Sequence, residues 1–145
     1  MTNFTSIYDK FLSRIEDYGY AQMDEQDANK HFYKMLQSAI IKFNYVCRKD
    51  LNLQTKTGFL EELDDTEQEI LAIWMVVVHI EGNMVTEENM RNFLNSRDYK
   101  QYSSSNLLKV VQDLRDKYAN EALALQSIYD LSGFKERWRN KNGKW

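Results

Sequence analysis

Ile70-Leu71-Ala72-Ile73-Trp74-Met75-Val76-Val77-Val78-His79-Ile80 is the most apolar stretch of the chain, and its reading decides the fold. The valine triplet suits a buried strand. Length argues the other way, because a helical frame continues from Asp65 to Glu81, further than most strands run. Asp64 and Glu67 have capping-box spacing, with an acid in place of the usual hydroxyl. Gly82-Asn83 closes the element. A helix that is apolar on every side belongs at the centre of a fold, surrounded by other helices. His79, inside that run, is expected to be a partly buried core residue.

The flanking sequence supplies those helices. Upstream, Phe4, Ile7, Tyr8, Phe11, Leu12, Ile15 and Tyr18 recur at three and four, predicting a helix over 3–18 with Gly19 as its C-terminal cap. Asp24, Glu25 and Asp27 form an acidic first turn that suits the positive end of a helix dipole. The stripe Ala28, Phe32, Met35, Leu36, Ala39, Ile40, Phe43, Cys47 then follows. Residues 51–62 are less regular. Gln54 to Gly58 read as a loop tip between Leu51/Leu53 and Phe59/Leu60, with a short hairpin as one outcome. Downstream, Thr86 is an N-cap for a short helix, and Val85 and Met90 have the spacing of a hydrophobic staple. Residues 95–102 read as polar loop. Ser103 to Ser105 cap the longest helix, carried by Leu107, Leu108, Val111, Leu114, Tyr118, Ala122, Leu125 and Tyr129 over 104–131. Gly133 stands where a helix stop is expected.

Composition agrees. The 145 residues contain no proline and five glycines. Sandwiches and barrels spend many such residues on turns, so their scarcity favours long helices with short connections. The expected fold is all-α: a bundle of about four main helices plus one short helix over 1–133, with an extended C-terminal arm, 134–145, reaching out of it. The sequence leaves open whether that arm is itself helical. No internal repeat is present, and the heptads are too irregular for a coiled coil.

Charge singles out the arm. Lys135, Arg137, Arg139, Lys141 and Lys144 stand against Glu136 alone, so the arm carries +4 and the rest −7 of a chain whose net charge is −3. The overall balance does not mark a nucleic-acid binder. The longest apolar run falls short of the ~20 residues that span a bilayer. The first residues alternate apolar and charged side chains, unlike a signal peptide. One cysteine excludes an internal disulfide. These features predict an intracellular, reduced protein with no membrane association.

Chemistry is sparse. His31 and His79 fall on different helices with no second ligand at metal spacing. Glu61, Glu62, Asp64 and Asp65 lack the oxygen pattern and glycine of a calcium loop and suit a helix start instead. Asp113 and Asp116 read as a solvated face. There is no phosphate loop and no nucleophile elbow. The expectation is a protein that is not an enzyme, with no catalytic residues, no metal ligands and no cofactor. The segment a core does not explain is the arm: Phe134, Lys135, Arg137, Trp138, Arg139, Lys141, Lys144 and Trp145. A solvated tail is the plain reading, but tryptophans gain much by docking. Bases with aromatics suit either phosphate contacts and stacking or a groove on an acidic protein partner. So short a basic segment gives modest nucleic-acid affinity at physiological salt, which favours the protein partner.

Two stretches then carry a resemblance. Leu63-Asp64, Glu67 and Ile70-Leu71-Ala72 open the central helix. Tyr102-Ser103, Leu108-Lys109, Leu114-Arg115, Glu121-Ala122 and Tyr129 follow along the last one. In this order, from Asp64 to Tyr129, the chain resembles small head–tail connector (neck, or adaptor) proteins of tailed bacteriophages. The resemblance implies a structural virion protein located in the neck, and in host cytoplasm during assembly. It implies a homo-oligomeric ring of about twelve copies beneath the portal protein, closed by two complementary faces on each subunit. Such a ring extends the DNA channel, with DNA passing through unbound, and receives the next neck or tail component. The arm would dock on the portal, and the 51–62 loop would face the neighbour below. The alternative from the arm alone is a small intracellular nucleic-acid-binding regulator.

Overall fold

The computed structural model describes residues 1–15, 23–95 and 103–142. Among them the order is β1 (Thr2–Asn3), α1 (Phe4–Arg14), α2 (Glu25–Phe43), β2 (Gly58–Phe59), α3 (Asp65–Asn83), α4 (Glu87–Asn95) and α5 (Ser104–Asn142). The class is all-α, a helical bundle with one two-stranded sheet at its edge.

The apolar stretch is helical and central. α3 packs against α1, α2, α4 and α5. Its residues from Ile70 to Val77, together with Ile80, are buried on all sides. The capping box forms as the spacing predicts. Asp64 Oδ1 accepts from the Glu67 amide at 2.7 Å, and Glu67 Oε1 accepts from the Asp64 amide at 2.9 Å. His79 is more deeply buried than expected, its ring edge-on to Phe11 and Phe93 at 5.8 and 5.7 Å between centroids.

The 51–62 segment makes a small hairpin that the N-terminus completes. Gln54 and Phe59 form a bridge, the Leu60 amide reaches the Leu53 carbonyl at 2.9 Å, and β1 pairs antiparallel with β2, Thr2 facing Phe59 and Asn3 facing Gly58. Gly58 is required there, because a Cβ would lie 2.3 Å from the Thr2 carbonyl oxygen. Buried Phe59 meets Phe4 edge-on at 5.1 Å and ties the sheet to the core.

Three expectations are corrected. α1 ends at Arg14, with Ile15 already extended. Tyr18 and Gly19, and most of the expected 95–102 loop, lie outside the described residues. Thr86 caps α4, its hydroxyl accepting from the Asn89 amide at 3.1 Å, but Val85 is 78% exposed while Met90 is buried, so no staple closes. The largest correction concerns Gly133. It does not stop the last helix; α5 runs through it to Asn142, 39 residues and about 58 Å at the standard rise. As far as Asn142 the arm is therefore a continuation of α5 and not a separate extended segment.

Candidate functional site

α5 buries one face as far as Gly133 and then leaves the bundle. Leu107, Val111, Tyr118, Ala122, Gln126, Tyr129 and Gly133 are buried, each three, four or seven residues from the last. α5 runs antiparallel to α3, since Trp74 Nε1 donates to Gln126 Oε1 while Glu67, earlier in α3, meets Tyr129, later in α5. From residue 134 through 141 every position is exposed.

A polar clamp sits at the point of departure. The Tyr129 hydroxyl donates to Glu67 Oε2 at 2.6 Å and accepts from the Arg48 amide at 2.9 Å. Lys49 Nζ donates to Glu67 Oε1 at 3.1 Å. The Arg48 guanidinium lies 3.9 Å from the centre of the Tyr129 ring and donates to the Tyr129 carbonyl at 2.9 Å. Gly133 lies one turn further on, where a Cβ would come within 2.3 Å of Arg48 Nη1. Its purpose is close approach: a larger residue would push against the side chain that caps this part of α5.

Electrostatics keeps the clamp charged. Burial raises the Glu67 carboxyl, but the Tyr129 hydroxyl, the Asp64 amide and Lys49 together outweigh it and hold the group below its ordinary 4.5. Burial, with the Glu67 hydrogen bond adding to it, drives the Tyr129 hydroxyl far up, so it remains a donor. Burial likewise pushes the Cys47 thiol up to about 11, which leaves a neutral packing group rather than a nucleophile.

Beyond the clamp, α5 carries a second apolar stripe. At about 100° per residue, Leu123, Leu131, Phe134 and Trp138 fall within an arc of about 80°, roughly opposite the buried face. All four are exposed, Phe134 by 51% and Trp138 by 37%. Phe134 and Trp138 are i,i+4 neighbours. Lys135 and Arg139 fall on one side of them, and Arg137 and Lys141 on the other, so bases flank the aromatics on both sides. Of the residues expected to bind a partner, the helix thus gathers Phe134, Lys135, Arg137, Trp138, Arg139 and Lys141. Lys144 and Trp145 lie outside the described residues. The sequence left open whether the arm is helical. The overlooked signal was Leu131-Phe134-Trp138, spaced three and four across Gly133.

The other candidates are dispersed over the fold. His31 is exposed on α2, while His79 is buried in the core. Asp113 and Asp116 are exposed, and Asp116 pairs with Arg115 at 3.0 Å. In the acidic cluster, Glu62 holds the N-terminal ammonium at 2.7 Å, Glu61 accepts from the Asp50 amide, and Asp64 caps α3. Among the described residues, no group of three or more His, Cys, Asp or Glu side chains is arranged to hold a metal ion, and no helix is long and apolar enough to cross a membrane.

The fold and site define an all-α bundle whose last helix projects a basic, aromatic end. No family model, no curated protein and no solved structure matches the chain.

Proposed function

We propose that the chain is a structural adaptor that docks on a partner protein through the projecting end of α5. The observation that carries this reading is that α5 continues past the bundle with Phe134 exposed by 51%, Trp138 one turn further on and four bases beside them, on a helix that the Glu67–Tyr129–Arg48 clamp holds at its root. Aromatic anchors with flanking charge suit a partner offering an apolar groove with an acidic rim, in the helix-in-groove mode. A helix already formed also loses less entropy on docking than a disordered tail.

The setting comes from the resemblance to phage head–tail connectors: a ring of neck subunits beneath the portal, extending the DNA channel to the tail. An acidic body with a basic projecting helix supports it, because a ring needs two different, complementary faces on each subunit. The test is to mix purified chain with the matching portal and image the product. Decorated portals with the native chain, and bare portals with the F134S/W138S variant, support the reading. Equal decoration by both removes it. Binding instead to duplex DNA, with a steep salt dependence lost in K135Q/R137Q/R139Q/K141Q, would favour the nucleic-acid regulator.

A further inference from the structure

A second surface lies well away from the end of α5. α2 is about 28 Å long at the standard rise, with Arg48 just past its last turn and an open groove of about 550 Å³ beside its first turns. Phe4 and Tyr8 of α1 and Tyr33 of α2 give the groove an aromatic lining. Lys30 and Lys34, one turn apart on α2, and Lys56 from the hairpin tip also line it. No carboxylate is among the lining residues described. That is uneven for a chain with 22 acids and 19 bases. Tyr8 is 5% exposed and makes no hydrogen bond to the protein among the described residues, and burial, with Tyr33 adding to it, raises its hydroxyl to about 12.

We propose that this groove is a docking site for a short acidic peptide segment of a partner protein, one carrying an aromatic or aliphatic anchor between its carboxylates. The anchor would cover the exposed part of the Tyr33 ring, over a floor made by the buried Phe4 and Tyr8, and the carboxylates would meet the three lysines. Complementary charge of this kind sets register and partner choice. A nucleic acid fits less well. Phe4 and Tyr8 are too buried to present ring faces for base stacking, and three lysines neutralise few phosphates. A small anion would find solvated lysines at an open surface rather than a ring of buried donors. The proposal stands independently of the α5 reading.

The experiment is an NMR titration of the full-length, nitrogen-labelled chain with the blocked peptide Glu-Asp-Phe-Leu-Asp-Glu. The expected result is saturable shifts at the amides of Lys30, Tyr33, Lys34, Lys56 and Thr57. The folded K30E/K34E/K56E variant should bind at least about tenfold more weakly, and the same peptide with lysine in place of each acid should leave those amides unmoved. Three outcomes would overturn the proposal: no shift at those amides, equal binding by the triple variant, or tighter binding of an oligothymidylate of equal charge.

Discussion

The Tyr129 hydroxyl donates a 2.6 Å hydrogen bond to the fully buried Glu67 carboxylate, joining the first turn of α3 to α5 one turn before α5 leaves the bundle. Lys49 and the Asp64 amide complete the carboxylate's partners on its other oxygen. Y129F removes that donor and leaves the Arg48 amide without its acceptor. Unpaired polar groups at such a site cost about 1–3 kcal/mol. Urea unfolding of Y129F should show a loss of this size, and an unchanged midpoint would contradict the clamp.

Glu67 also sets a pH dependence. Its folded pKa lies below 4.5, so the unfolded chain takes up the proton first as pH falls. Stability from Glu67 is therefore fully present above the ordinary carboxylate range and drains away as pH drops through the folded value. The stability gap between native chain and E67Q should be widest near pH 7 and should narrow between about pH 5 and pH 3. A gap that stays constant across that interval would show that the carboxylate is not held in its charged form.

Gly133 and Arg48 should be coupled. A helical glycine costs about 1 kcal/mol against alanine, so G133A alone ought to stabilise α5. The Cβ would instead meet Arg48 Nη1 and displace a guanidinium stacked on Tyr129. In an R48A background the obstacle is gone, and G133A should stabilise by about 1 kcal/mol. In the native background it should stabilise less or destabilise. The double-mutant cycle should return a coupling of about 1–2 kcal/mol, and simple additivity would argue against close approach.

Phe134 and Trp138 lie beyond the bundle, so F134S and W138S should change stability by no more than about 0.5 kcal/mol. On the proposed docking role, portal capture should nevertheless fall sharply, because aromatic anchors at an interface carry much of its binding energy. Thermal melts together with pull-down of the portal separate the two effects. A large fall in melting temperature would mean that these side chains pack within their own subunit.

Ile73 tests the centre of the fold. It is fully buried in the middle of α3, and I73A should cost about 2–5 kcal/mol in denaturant unfolding. V85A, at a residue exposed beside α4, should cost less than about 0.5 kcal/mol, since its staple is not formed.

By itself the sequence determined what depends on neighbours along the chain. The apolar run of α3 has no polar side to give to water, so it had to be central, and the Asp64–Glu67 cap follows from a three-residue spacing. The stripes of α1, α2 and α5 named most of the core in the same way. Tertiary structure decided what depends on which distant residue stands nearby. A glycine after a helical stripe reads as a stop from its own conformational freedom; the Arg48 side chain, 85 positions away in sequence, makes it a close-packing site inside a continuing helix. Glu67 read only as the partner of Asp64 in a cap, and Tyr129 and Lys49 also converge on it in a buried clamp. The groove likewise draws its lysines from α2 and the hairpin. Local free energies favour a helix or a turn, but only packing chooses the partner across the fold, and no spacing along the chain encodes that choice.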